Sequence, residues 1–329
     1  MKKLQSTVRK KSFCELFLDY YPTESEVEGL YSTNIANCVF NSFLSYTAIL
    51  LNVVTIHAIR KTSSLPQTLK ILLVSLAVSD VGVGLVNQPF YTSILINWIQ
   101  QSNPGCNTHK AFYFIGNLFS TASFFGVVAV SVDRFLAIHL HLRYQELVTH
   151  KRVVAVVILK WVLSIFASFS MFWVPRDIFS LVIIILGIVG VLLTTMIYIS
   201  IYLTVRRHRS QIQALRVQLQ ARAGEMSNFA SLINSAVGIF YVYLMFLICY
   251  LPYFISLAAF KTNGPNIILK KFFLSSLTLL YLNSSLNPVI YCWKMRHIRQ
   301  AVINILRNMS WHRGHASLET PAFASHTLT

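Results

Sequence analysis

The chain has 329 residues, of which 55% are hydrophobic and only 12% charged, and its mean hydropathy is +0.57. That is too apolar for a soluble domain of ordinary composition and long enough for several membrane spans, so the sequence reads as an integral membrane protein. The formal net charge of +17 implies no nucleic acid: the basic residues punctuate the ends of apolar segments, where anionic lipid and acidic partner surfaces reward each by about 1 kcal/mol.

In chain order, residues 1–37 carry a basic start and then Glu15, Asp19, Glu24, Glu26 and Glu28. This stretch is too short to fold as a domain and holds no Asn-x-Ser/Thr sequon. Met1-Lys2-Lys3 is followed by polar residues and not by an apolar signal core, so the first helix is expected to direct insertion itself. Seven apolar segments follow: Val39 to Ile59, Leu69 to Leu95, Ala111 to Leu140, Val153 to Val174, Ile178 to Val205, Ile233 to Phe260 and Phe272 to Trp293. Each is near the ~20 residues a spanning helix needs. Continuous apolar runs, in place of strict alternation, predict helices and exclude a barrel.

Lys and Arg collect on one side of these segments, at Arg60, Lys61, Lys70, Arg134, Arg143, Lys151, Arg152, Arg206 and Arg207, and the opposite loops hold few. That side is predicted to be cytoplasmic, which puts the amino terminus outside and the carboxyl terminus inside. The basic start of the chain opposes this, and the downstream asymmetry outweighs it.

The polar exceptions inside the segments are few. Asp133 and Arg134 close the third segment, Asp80 lies mid-way along the second, and Asn52 sits in the first. A carboxylate within the hydrocarbon costs a few kcal/mol and must find polar company. Ser123 precedes Arg134 by eleven residues, about 16 Å of helix rise. Asn283, Asn287 and Tyr291 recur every fourth residue of the seventh segment and form one polar stripe. Asn52, Asp80, Ser123, Asn283 and Asn287 can therefore line one wet cavity near the midplane; the other reading is a set of separate helix-to-helix hydrogen bonds.

Asn52, Ser75-Leu76-Ala77-Val78-Ser79-Asp80, Asp133-Arg134-Phe135, Trp161, Pro252 and Asn287-Pro288-Val289-Ile290-Tyr291 stand in the order, and on the helices, typical of rhodopsin-like (class A) G-protein-coupled receptors. The chain resembles that family from about Asn52 to Ala301. The resemblance implies an all-α membrane protein, a seven-transmembrane helix bundle at residues 38–307 that includes a short amphipathic eighth helix, here Met295 to Arg307. Residues 1–37 are then a short extracellular N-terminus and residues 308–329 a cytoplasmic tail. It further implies a multi-pass receptor of the plasma membrane whose partner is a heterotrimeric G protein. Arg134 is then the group that releases Asp133 on activation, Tyr198 and Tyr291 the tyrosines that swing in to hold it, and Pro252 the pivot of the sixth helix. Leu142 is the apolar knob offered to the G protein, Asn287, Pro288 and Tyr291 form the seventh-helix switch, and Tyr250 stands at the switch beneath the ligand. No cofactor is expected beyond an allosteric sodium ion, for which Asp80, Ser123, Asn283 and Asn287 match the family's oxygen-lined pocket.

The departures are specific. Phe135 replaces a Tyr, Tyr250 a Trp, and Gly190 the fifth-helix Pro, which puts that helix's bulge in question. Leu232 falls where an acidic residue commonly restrains the third-helix Arg, and Glu225 is two turns away; basal signalling without ligand is the expectation that follows. The short loop at Pro175-Arg176-Asp177 has no Cys for the usual tie to the third helix. Cys106 is left with Cys14 or Cys38 as a partner outside the cell. The short loop resembles the melanocortin, lysophospholipid and cannabinoid receptors, and the inner run Leu142 to Thr149 those for adenosine or amines; the receptor is an orphan by subfamily.

Ligand chemistry narrows by exclusion. Gly116 holds the place of the amine-binding Asp, Tyr281 that of the retinal-bearing Lys, and Leu257 that of the adenosine-binding Asn, and the melanocortin acidic cluster is replaced by Phe90, His109 and Tyr113. Gln88, Tyr91, Tyr113, Asn117, Tyr253 and Tyr281 remain as a neutral set suited to a small uncharged or lipid-like ligand. The ten histidines are scattered and no phosphate loop appears, so an enzyme is not expected. A membrane transporter or channel, or a receptor-like modulator that does not couple, are the alternatives. Tail residues Ser310, Ser317, Thr320, Ser325, Thr327 and Thr329 are candidate phosphate acceptors for a receptor kinase and arrestin.

Overall fold

The computed structural model describes residues 23, 26–63, 65–102, 104–140, 143–215 and 223–316, and these are helices joined by short connections. The helices are α1 (Val27–Lys61), α2 (Gln67–Gly82), α3 (Gln88–Ile99), α4 (Cys106–Leu140), α5 (Tyr144–Leu147), α6 (His150–Ser170), α7 (Arg176–Leu215), α8 (Ala223–Asn263), α9 (Ile267–Lys294) and α10 (Arg296–Ala316). α2 and α3 are two halves of one rod. Among the described residues seven rods are long and apolar enough to cross a membrane, one for each expected segment. Ile185, Ile188, Leu192, Met196 and Ile199 of α7 stand about half exposed; such a face is tolerated against lipid and not against water.

Local chemistry sets the ends. Thr149 caps α6 by accepting from the Arg152 amide, and Asn266 caps α9 by accepting from Leu269 at 2.8 Å. Gly264, at φ +71, turns the chain between α8 and α9 in the left-handed conformation that glycine adopts without strain. The join between α2 and α3 is a π-helical turn, Val83–Asn87, in which the Gln88 amide donates to Val83. Pro89 has no N–H for the Gly84 carbonyl. That carbonyl instead accepts from the Ser45 hydroxyl of α1 at 2.8 Å, which settles the bulge.

Three outcomes differ from or refine the sequence reading. α1 begins at Val27, well before the apolar run at Val39, because Leu30, Asn34, Asn37 and Asn41 recur on one face and are buried. Asn41 donates to Thr278 of α9 at 2.7 Å, Thr278 donates to Asn37 at 2.7 Å, and Lys270 is paired with Glu26 at 2.6 Å. α7 is an unbroken α-helix. A Cβ at Gly190 would stand 2.1 Å from Cζ of Phe124, so the glycine admits that α4 ring against the α7 backbone. α10 runs on past Arg307, so Ser310 lies within a helix and residues from Ser317 onward lie outside the described residues. Ile298 of α10 is fully buried and Ile303 and Leu306 are exposed, the division an interfacial helix needs.

The core runs along the bundle axis between the α2–α3 rod, α4, α8 and α9. It brings the polar residues of the second, third and seventh spans to the centre.

Candidate functional site

At the end of the bundle that carries the basic loops, Asp133 and Arg134 are both buried, and Arg134 is among the largest side chains wholly removed from solvent. The guanidinium grips Asp133 Oδ2 through Nε at 2.9 Å and through Nη2. The other carboxylate oxygen accepts from the Tyr144 hydroxyl of α5 at 2.6 Å, and that hydroxyl also meets Thr68 of α2 at 3.0 Å. A buried ion pair is tolerated when its remaining lone pairs are satisfied in this way. Burial, with the Asp133 charge beside it, pushes the Tyr144 phenol up to about 12, so it keeps its proton to donate.

Tyr198 of α7 is hydrogen-bonded to Ser131 at 3.0 Å and, among the described residues, not to the guanidinium. Its ring stacks on Tyr243, which is itself bound to Thr195 at 2.6 Å. Tyr291 is buried, and its hydroxyl has no hydrogen-bond partner among the described residues. Leu142 lies outside the described residues, and of Leu232 and Glu225 only the backbone is described, as helix.

Mid-bundle, the structure brings Asp80, Ser123 and Asn287 together. Asn287 Nδ2 donates to Asp80 Oδ2 at 2.8 Å, and Ser123 Oγ reaches Asp80 Oδ1 at 3.4 Å and Ser79 at 3.2 Å. Asn52 takes the helix-stitching role: its amide donates to Ala48 and, across to α9, to the Ser284 carbonyl at 2.8 Å. The carboxamide oxygens of Asn52, Asn283 and Asn287 are buried with no donor among the described residues. A carboxylate, a hydroxyl and spare carboxamide oxygens are a donor set that fits a hard cation.

Toward the opposite end, the Tyr91 and Tyr281 rings meet with centroids 5.6 Å apart, Phe112 packs against both Tyr91 and Tyr113, and Tyr253 packs on Phe273. Gln88 is fully buried, with both its amide atoms unpartnered among the described residues. Two of the expected ligand contacts are engaged in packing: Tyr91 donates to the Leu274 carbonyl at 3.0 Å, and Asn117 donates to Ser168 of α6 at 3.4 Å. Asn87 was missed: its carboxamide lies 3.4 Å from where a Cβ on Gly116 would be, beside the tyrosine group. Tyr250 stacks on Phe246 with ring centroids 3.9 Å apart, two residues before the helix-interior Pro252. Pro288 and Asn287 lie buried in α9.

Cys106 is disulfide-bonded and Cys38 is free, its thiol directed at the Thr92 carbonyl. That removes the Cys106–Cys38 alternative, because α1 carries Cys38 to the flank of α3; Cys14 lies outside the described residues. The sequence reading also overlooked Lys160 of α6, buried with Ser164 and Ser168 on one face at four-residue spacing. A lysine inside an apolar run was the available signal.

A family model for the 7 transmembrane receptor (rhodopsin family) matches residues 51–178 and 170–291. The human adenosine receptor A2a is 26% identical over 305 residues, covering 80% of this chain and 70% of the relative. The dog histamine H2 receptor is 27% identical over 277 residues, covering 78% and 75%. Squid rhodopsin superposes with a TM-score of 0.71 at 19% identity, covering 85% of this chain and 87% of that one, a likeness of fold. These relatives are receptors, which disfavours the transporter, channel and enzyme readings. The seven spans, the Asp133–Arg134 pair and the family match agree: the chain is a multi-pass membrane protein that belongs to the rhodopsin family of seven-transmembrane receptors.

Proposed function

We propose that this receptor converts binding of a small, uncharged or lipid-like ligand at the tyrosine-lined end into activation of a heterotrimeric G protein at the Arg134 end. The observation that carries the reading is the state of Arg134: buried, held by Asp133, and backed by Tyr144 and Thr68 from two other elements. A guanidinium held, among the described residues, by a carboxylate that it can release is a latch, and the buried Tyr291 hydroxyl has no partner among those residues. The basic end then faces the cytosol of a plasma-membrane receptor, with Leu142 at its G-protein contact and the tail open to a receptor kinase and arrestin.

Similarity to receptors for adenosine and histamine does not carry their ligands over. Leu257 and Gly116 stand where those families keep Asn and Asp, and the space beside Gly116 faces the neutral Asn87 carboxamide. Neutral phenols and carboxamides among apolar walls favour an uncharged ligand. At mid-bundle, Asp80, Ser123, Asn283 and Asn287 would hold an allosteric sodium ion, which supplies a removable positive charge to a carboxylate that no cation touches among the described residues.

The test is nucleotide exchange on purified heterotrimers by the receptor in lipid nanodiscs, offered lipid, nucleoside, amine and peptide libraries. Acceleration by an uncharged or lipid-like compound, lost in Arg134→Ala, is the expected result. Acceleration only by amines would overturn the ligand reading.

A further inference from the structure

Lys160 takes no part in the arrangement above. It lies ten residues beyond His150, the start of α6, about 15 Å of rise and thus near the middle of a hydrocarbon layer about 30 Å thick. Its side chain is buried, 4% exposed. The ammonium donates to the Ser75 carbonyl of α2 at 3.3 Å and lies 4.9 Å from the centre of the Trp161 ring. Among the described residues no carboxylate comes within ion-pair distance of it. The buried carboxylate on the span that it touches is Asp80, five residues beyond Ser75.

Gly126 of α4 lies against this head group: a Cβ there would stand in ordinary contact with Lys160 Nζ, at 3.6 Å, and more tightly, at 3.0 Å, against Leu76. Gly126 follows Ser123 by three residues, and Ser75 precedes Asp80 by five. The ammonium therefore stands about one helical turn from the Asp80–Ser123 contact, on the Arg134 side. A lysine at this depth cannot reach either surface of the membrane, so its charge is a fixed part of the mid-bundle field.

We propose that Lys160 is a tethered cation that competes with sodium for the field of Asp80, so that this chain's chamber binds sodium weakly until the ammonium is removed. The proposal rests on the reading of the Asp80 chamber as a sodium site. Two positive charges answering to one carboxylate in a low-dielectric interior repel, and the one that is covalently held cannot be diluted away.

The experiment is thermal melting of the purified receptor in nanodiscs across a sodium chloride series, with choline chloride keeping the ionic strength constant. Wild type, Lys160→Met, Lys160→Gln, Lys160→Arg and Asp80→Asn are compared. In Lys160→Met and Lys160→Gln the sodium midpoint is expected to fall about tenfold, the scale of one like charge removed from a buried site; Lys160→Arg, which keeps the charge, should stay near wild type. A sodium midpoint unchanged in both neutral variants, with the response still abolished by Asp80→Asn, overturns the competition and leaves the sodium site standing. A melt indifferent to sodium in every variant overturns both. Two neutral side chains of different polarity guard against a variant that fails to fold.

Discussion

The two buried charge centres of this receptor are built on opposite plans. At the Arg134 end the charges touch, and both oxygens of Asp133 are occupied, by Arg134 and by Tyr144. At mid-bundle Asp80 and Lys160 are both buried but not paired, and among the described residues three carboxamide oxygens have no donor. The first plan makes a latch, stable because every group is answered and informative because opening it exposes both partners. The second, on the proposed reading, makes a chamber whose occupancy varies. Contact neutralises charge at one site, and distance leaves it available at the other.

The largest effect is expected at the latch. Arg134→Ala leaves the Asp133 carboxylate buried without its ion pair, a loss on the order of 3–5 kcal/mol, and it should abolish exchange on G protein as well as lower the melting temperature. A variant that melts like wild type would mean that the pair is not the satisfied unit described. At the chamber, Asp80→Asn should remove about 1–2 kcal/mol of sodium-linked stability, the amount expected of a ligand near ten times its dissociation constant. The same variant should alter activation; sodium dependence and agonist response that both stay as in wild type would contradict the chamber.

Smaller effects sharpen the distinction. Tyr144→Phe deletes one hydrogen bond to Asp133 and one contact with Thr68, about 1 kcal/mol, and should raise basal exchange roughly fivefold by loosening the latch. Basal output of wild type should already exceed that of Arg134→Ala, since Leu232 offers no acidic restraint to the guanidinium. Equal output from the two would remove that expectation.

The smallest effect lies at the opposite end, where Glu26 clasps Lys270. Burial raises the Glu26 carboxyl, but hydrogen bonds from Lys270 and Thr23 outweigh it and hold the group below its ordinary value. Its contribution is therefore complete above the unfolded value near 4.3 and is lost as the pH falls through the lower folded value. Partial exposure limits it to under about 1 kcal/mol. Glu26→Gln should flatten the acid limb of the melting curve, and an unchanged limb would show that the clasp contributes nothing.

The parts of this architecture that were legible in the sequence are those that depend on composition and spacing along one helix. Seven apolar runs announce seven rods, and the stripe of Asn283, Asn287 and Tyr291 announces an inward face. What stayed hidden depends on contacts between helices. Lys160 sits in an apolar run and reads as part of a span until the Ser75 carbonyl is seen to accept from it and Gly126 to lie against it. The bulge at Val83–Asn87 follows from Pro89, but its stability comes from Ser45 on another helix. Gly190 read as a missing proline and proved to be a seat for Phe124. Tyr144 lay beside Leu142 in the sequence, and only the fold brings its hydroxyl to Asp133.

On the proposed reading the Asp133–Arg134 latch reports a ligand on one side of the membrane to a G protein on the other. Its most direct test is the rate of GDP–GTP exchange on purified heterotrimers, with wild type and Arg134→Ala in nanodiscs exposed to the same compound panel. The account predicts a compound that speeds exchange through wild type and not through Arg134→Ala. Wild-type receptor that speeds exchange on no heterotrimer, with or without any compound, would contradict it.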